Sequence, residues 1–304
     1  MLIAVPPGIG DAFWALTKIP AMLREAGESK ADLIVADNAP RRSKEFLEAF
    51  DFIGKVEYKP LRFTLGTHKC GRYNYWPTRS VHPECAGAIW LIPNEHLEQG
   101  LRLETWLTEY EIDWHIQERF LWQESDLDFA AQLKQRLGEY VVFYLGPEEG
   151  NTTGGHNRGG IWSMADWVTL GLEIGKPIVV VGAEYDRSYS NKVLDLAHAR
   201  GSHWLDYVGR WPIGRTFAVV REAAACISYQ SGIGIFATYL RVPTAMWWRA
   251  YGDSCVPGKL VSFHEDMRTA WVPPDMLDRG KYLGMIYGRC EPGTVLKWNQ
   301  ITSS

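Results

Sequence analysis

The stretch Ala225-Cys226-Ile227-Ser228-Tyr229-Gln230-Ser231-Gly232-Ile233-Gly234-Ile235-Phe236-Ala237-Thr238-Tyr239-Leu240, continued by Arg241-Val242-Pro243-Thr244-Ala245-Met246-Trp247-Trp248, decides how this chain is read. It reads as strand, turn of small residues, helix, short turn, strand, which is the alternation of a parallel α/β sheet. Ser231-Gly232-Ile233-Gly234 then falls where a helix N-terminus points backbone N–H groups outward, a setting suited to a diphosphate. Taken alone, the turn has an equally good explanation, because strand-to-helix turns use glycine for its backbone angles. The rest of the chain must choose between the two.

Working outward, the second half repeats the pattern. Strands are expected at 140–145, 177–181 and 204–208, and helices at 164–174, 186–199 and 216–224, each step a βα unit of ordinary length. The first half opens with a strand at 2–5, a turn at 6–10 and a helix over 11–25. Apolar Phe13, Leu16, Ile19 and Leu23 recur there at helical steps. Pro20 lies inside that pattern and should bend the helix, at ~3 kcal/mol unless packing compensates. Strands at 32–36, 55–58 and 86–92 and helices at 43–50 and 96–107 follow. The expected fold class is α/β, with two Rossmann-like domains facing across a cleft. The first domain spans 1–124, a linker helix 125–138, the second domain 139–273, and a helix near 274–287 opens the tail at 274–304.

Composition narrows the classes. The 304 residues suffice for two cores, and the apolar and charged fractions are those of a soluble globular protein. A net charge of −4 supplies no global basic field toward nucleic acid or anionic membrane, although a local basic cleft would not show in the total. Five cysteines without C-x-x-C spacing fit a reducing, cytoplasmic setting. No signal peptide or membrane span is read. Fourteen tryptophans are many, and those in helical patterns, such as Trp106 and Trp167, are expected in the core.

Candidate site residues cluster after strands. In Pro7-Gly8-Ile9-Gly10-Asp11 the dinucleotide fingerprint fails, because Phe13 stands where a third small residue belongs. Asp11 at that helix start either caps the helix or serves as a general base at the cleft. The loop 146–160 is glycine-rich and polar, and its Arg158 could meet a phosphate. Ser163 and Asp166 read as a structural capping pair. Glu184 could accept hydrogen bonds from a ribose diol, while Asp186 reads as the cap of the next helix. Scattered histidines show no H-x-x-x-H pair, and the one D-x-D, Asp126-Leu127-Asp128, reads as a solvated face, so no metal is expected. The loop 61–80 carries Arg72, Tyr73, Tyr75, Trp76 and Arg79, whose rings could stack on a sugar or a base, though a partly buried aromatic loop explains them as well.

Together these residues resemble the ADP-heptose heptosyltransferases, which are inverting glycosyltransferases of the two-domain GT-B fold. The early match is Gly10-Asp11 with Pro20 downstream. The late match is Ile227-Ser228-Tyr229-Gln230-Ser231-Gly232, then Ala237 and Val242-Pro243-Thr244. The resemblance implies a catalytic base at Asp11, with Ser231 and Gly232 on the diphosphate. It spans both halves but is weak over 61–123 and the tail. This chain departs from the family at Gln230, where an aspartate is usual, at Ile235, where a histidine is usual, and at Gly160, where a basic residue is usual.

The expectation is a glycosyltransferase acting on a nucleotide-diphosphate sugar without a metal. Asp11 is its base, and Gly10, Arg158, Glu184, Gln230, Ser231, Gly232 and Gly234 hold the donor. Arg72, Tyr73, Tyr75 and Trp76 are the acceptor candidates, for a glycan, a modified nucleic-acid base or a small molecule, in a monomer or homodimer. Two other classes stay open: a non-catalytic nucleotide-sugar or glycan-binding protein, and a nucleotide-sugar epimerase of the same fold.

Overall fold

The computed structural model describes residues 1–5, 8–36, 43–59, 88–90, 110–146, 162–229, 231–248, 272–286 and 292–302. The chain divides into two compact units, the first beginning at Met1 and the second at Trp122.

In the first unit, β1 (Leu2–Val5) leads into α1 (Ile9–Leu16) and α2 (Ile19–Ala26), followed by β2 (Ala31–Ala36), α3 (Lys44–Glu48), β3 (Ile53–Lys59) and β4 (Ile89–Trp90). The sheet is parallel, in the order β3-β2-β1-β4. The single bent helix expected over 11–25 is instead two helices. Pro20 sits in the first turn of α2, where its missing N–H has no intrahelical partner to lose. Phe13, the residue that spoils the fingerprint, is fully buried in an aromatic core with Phe46, Phe50, Phe52 and Phe120.

The second unit opens with α4 (Glu124–Leu137), which packs on α7 (Ile213–Arg221). The Asp126-Leu127-Asp128 segment is not the solvated face expected of it. Asp126 is buried against Arg215, with its Oδ1 accepting from Nε at 2.8 Å, and among the two carboxylates only Asp128 faces solvent. The remaining elements are β5 (Val141–Tyr144), α5 (Met164–Ile174), β6 (Ile178–Val180), α6 (Arg187–Ala199), β7 (Leu205–Asp206), β8 (Ala225–Tyr229), α8 (Gly232–Tyr239), β9 (Thr244–Trp248), α9 (Pro274–Asp278), β10 (Tyr282–Ile286) and α10 (Pro292–Thr302). The helix expected at 274–287 stops after one turn. The chain reverses at Arg279-Gly280, and Tyr282–Ile286 becomes a sixth strand paired in parallel with β9.

All six strands are parallel, in the order β10-β9-β8-β5-β6-β7. Counted within the unit this is 3-2-1-4-5-6, the doubly wound Rossmann order. Both faces must be covered, so strands such as Val141–Tyr144 are buried at every residue. One face carries a tryptophan core in which Trp162, Trp167 and Trp247 meet with ring centroids 4.2 to 5.3 Å apart. Trp167 is therefore in the core as expected, while Trp106 lies outside the described residues. No helix among the described residues is long and apolar enough to cross a membrane.

Candidate functional site

Strand order locates the place where a ligand can enter a doubly wound sheet. The chain leaves β5 toward one edge and β8 toward the other, so their carboxyl ends flank a crevice that no crossover covers. The turn singled out in the sequence begins there.

Ser231 is the N-cap of α8. Its backbone is extended, and its Oγ accepts the Gly234 N–H at 3.1 Å. Ser228 Oγ at the end of β8 stands 3.0 Å from Ser231 Oγ, which fixes the capping hydroxyl. Gly232 and Ile233 occupy the first two helical positions, where N–H groups have no intrahelical acceptor, and neither finds a partner among the described residues. Ser231 and Gly232 are half-exposed while Ile233 is buried, so the Gly232 N–H and the positive end of the helix are open to an anion.

Gly234 plays a different part from the one expected. Its N–H is committed to the cap rather than to a diphosphate. A Cβ at this position would stand 2.7 Å from Met246 Sδ and 2.8 Å from Ser228 Oγ. Glycine is needed here so that α8 can lie close against β8 and β9. Ile235 is buried.

After β6, Glu184 begins a short 3-10 turn, Glu184–Asp186, with its side chain largely exposed. Arg187 holds the Glu184 carboxylate by a two-pronged contact, Nε to Oε1 at 2.9 Å and Nη2 to Oε2 at 3.1 Å. This hydrogen-bonded guanidinium lowers the Glu184 pKa, so the group is ionised throughout the neutral range. Each oxygen keeps a second lone pair able to accept a hydroxyl. Arg187 is itself anchored by the Val208 carbonyl and, at 3.6 Å, by Asp206.

Asp186 does not cap α6 with its side chain, contrary to expectation. It is buried, and its Oδ2 accepts the Ala183 N–H at 2.8 Å while Oδ1 accepts from Tyr144 Oη at 3.4 Å. Burial, with the Asp186 carboxylate adding to it, pushes the Tyr144 pKa well above its ordinary value. This contact ties the turn after β6 to the end of β5. The Ser163–Asp166 capping box forms as expected, with Ser163 N to Asp166 Oδ2 at 2.8 Å and Asp166 N to Ser163 Oγ at 3.2 Å.

In the first unit the same strand logic applies at β1, whose neighbours β2 and β4 lie on opposite sides. Helix α1 starts two residues earlier than expected, with Gly8 as N-cap and its carbonyl accepting the Ala12 N–H at 2.8 Å. Gly10 is the half-exposed second helical residue and Asp11 the third, so Asp11 is not the cap. The Asp11 side chain lies outside what is described, as do Arg158, Gln230, Arg72, Tyr73, Tyr75 and Trp76. Among the described residues no group of three or more His, Cys, Asp or Glu could hold a metal. Sequence reading missed the Arg187 clamp on Glu184 and the Tyr144–Asp186 contact. The three-residue Glu-Arg spacing was a visible signal for the first; nothing local marks the second.

No protein-family model matches the chain, and no curated protein matches it in sequence. Solved structures do. The E. coli ADP-heptose lipopolysaccharide heptosyltransferase II is similar with a TM-score of 0.63 at 12% identity, over 99% of this chain and 98% of that one. A family 9 glycosyl transferase from Veillonella parvula gives 0.62 at 10% identity, over 99% and 96%. The E. coli heptosyltransferase WaaC, solved with ADP, gives 0.53 at 13% identity, over 99% of both chains. At such identities the likeness shows the fold, and that fold is the GT-B class built from two Rossmann-like α/β units.

Proposed function

We propose that this protein is a glycosyltransferase that moves a sugar from a nucleotide-diphosphate sugar to an acceptor hydroxyl, with inversion at the anomeric carbon and without a metal. The observation that carries the reading is the Ser231-capped start of α8 at the switch point of a Rossmann-ordered sheet. There, the Gly232 N–H and the helix dipole meet the diphosphate, with Ser231 beside them. Gly234 contributes by shaping the turn. Arg158 and Gln230 border the same pocket in sequence, and Arg158 offsets the phosphate charge. Glu184, ionised and held by Arg187, accepts from the ribose diol. Support for a sugar donor also comes from the fold likeness to enzymes whose structures hold ADP or an ADP-linked heptose analogue.

In the first unit Asp11, beside Gly10, takes the proton of the acceptor hydroxyl. That oxygen bonds to the anomeric carbon as the bond to the diphosphate breaks, and the nucleoside diphosphate leaves with the bonding pair. The loop bearing Arg72, Tyr73, Tyr75 and Trp76 receives the acceptor.

The test has two stages. A panel of nucleoside diphosphates and their sugars is screened by thermal shift, and the stabilising sugar is then used in a transfer assay with wild type and Asp11→Asn. The variant should bind donor as wild type does and lose on the order of 10²–10⁴ in rate, the usual worth of a positioned base. Full turnover by Asp11→Asn would remove Asp11 as the base. Lack of stabilisation by every nucleotide in the panel would remove the donor site itself.

A further inference from the structure

Helix α6 ends in His198-Ala199-Arg200-Gly201-Ser202-His203. The turn is a Schellman motif. The Ser202 N–H donates to the Ala197 carbonyl at 3.0 Å and the Gly201 N–H to the His198 carbonyl at 2.9 Å, with Gly201 left-handed at φ 80°. That reversal folds the chain back over the last turn of α6 and brings two exposed histidines together. His198 Nδ1 and His203 Nδ1 stand 3.2 Å apart, with ring centroids at 4.8 Å and planes crossing at 63°.

At this distance one Nδ1–H can donate to the other Nδ1, and a cation that displaces that proton would meet both nitrogens. Two imidazoles aimed at one metal, with bonds of about 2.1 Å, would have nitrogens 3.2 Å apart at an angle of about 100° and centroids at about 4.9 Å. The observed separation matches the converging arrangement.

Two further features favour a cation. The pair sits at the C-terminal end of a helix, where the macrodipole is negative. Both rings are exposed, so entry is open. Among the described residues no third His, Cys, Asp or Glu completes a cluster.

We propose that His198 and His203 chelate a borderline divalent transition-metal ion such as Zn²⁺, Ni²⁺ or Cu²⁺, the ions that imidazole suits. The site is separate from the nucleotide pocket and does not depend on the glycosyltransferase reading. Bound metal would lock the Schellman turn onto the end of α6.

Full-length protein made without a histidine tag is titrated calorimetrically with Zn²⁺, beside His198→Gln, His203→Gln and the double variant. Circular dichroism checks that each variant folds. Wild type should bind one equivalent that the double variant does not, and either single change should weaken that binding on the order of 10²-fold, the gain a fixed second ligand provides. Gly201→Ala, which strains the turn but keeps both rings, should weaken it as well. Absence of Zn²⁺ uptake by wild type would overturn the proposal. Undiminished uptake by the double variant would place the metal on other histidines and overturn it equally.

Discussion

Gly234 lets α8 lie close against β8 and β9 because it carries no side chain. In the sequence it is one of two glycines in an anion-binding turn; in the structure its N–H is bonded to Ser231 Oγ and its missing side chain admits Met246 and Ser228. Gly234→Ala should therefore cost about 1–3 kcal/mol, the range for overpacking a well-filled site, read as a lower urea midpoint. An unchanged midpoint would mean that Met246 moves aside without strain and that the glycine is not needed for packing. The true role was hidden because Met246 is distant in sequence and reaches Gly234 only through the β8–β9 pairing. Glu184 was legible as a carboxylate after a strand. Its partner Arg187 was missed because a pair three residues apart meets only once the intervening turn is known. The His198–His203 contact was missed for the same kind of reason, since its spacing is no metal motif until Gly201 turns the chain.

At the scale of single elements, boundaries were most legible where the signal is local. Helix α5 has the expected limits, because Ser163 and Asp166 spell a reciprocal cap and Gly175 closes the far end in a left-handed conformation. Ser163→Ala should lose about 1 kcal/mol of stability in urea denaturation, and Ser163→Asn should recover most of it, because asparagine is also a good cap. Equal loss in both variants would point to Ser163 packing rather than capping. Two elements misled. Pro20 reads as a kink within one helix, yet the cheaper solution is to end α1 and begin α2 with the proline in its first turn. The span 274–287 carries enough apolar residues for a helix, but a strand there gains a full parallel ladder with β9, which local propensity does not report.

For the whole molecule, alternation of strands and helices made the fold class readable, whereas strand order was not, because it depends on long-range pairings. That order is what turns a glycine-containing turn into a site: the same turn on an edge strand would face no crevice. The two units also have separate cores, phenylalanine-rich in the first and tryptophan-rich in the second. A nucleoside diphosphate held chiefly by the second unit should therefore stabilise the two unequally. Bound at about 100 times its Kd it adds ~2.7 kcal/mol to the opening free energy of whatever it holds. Hydrogen exchange read by mass spectrometry, with ADP and UDP as probes, should show this gain in peptides covering β5, β6, β8 and α8, and a smaller one in β2 and β3. Equal gains in both units would show either that the molecule opens as one cooperative body or that the first unit holds the nucleotide as firmly. Gain confined to β2 and β3 would place the nucleotide in the first unit and remove the functional reading of Ser231 and Gly232.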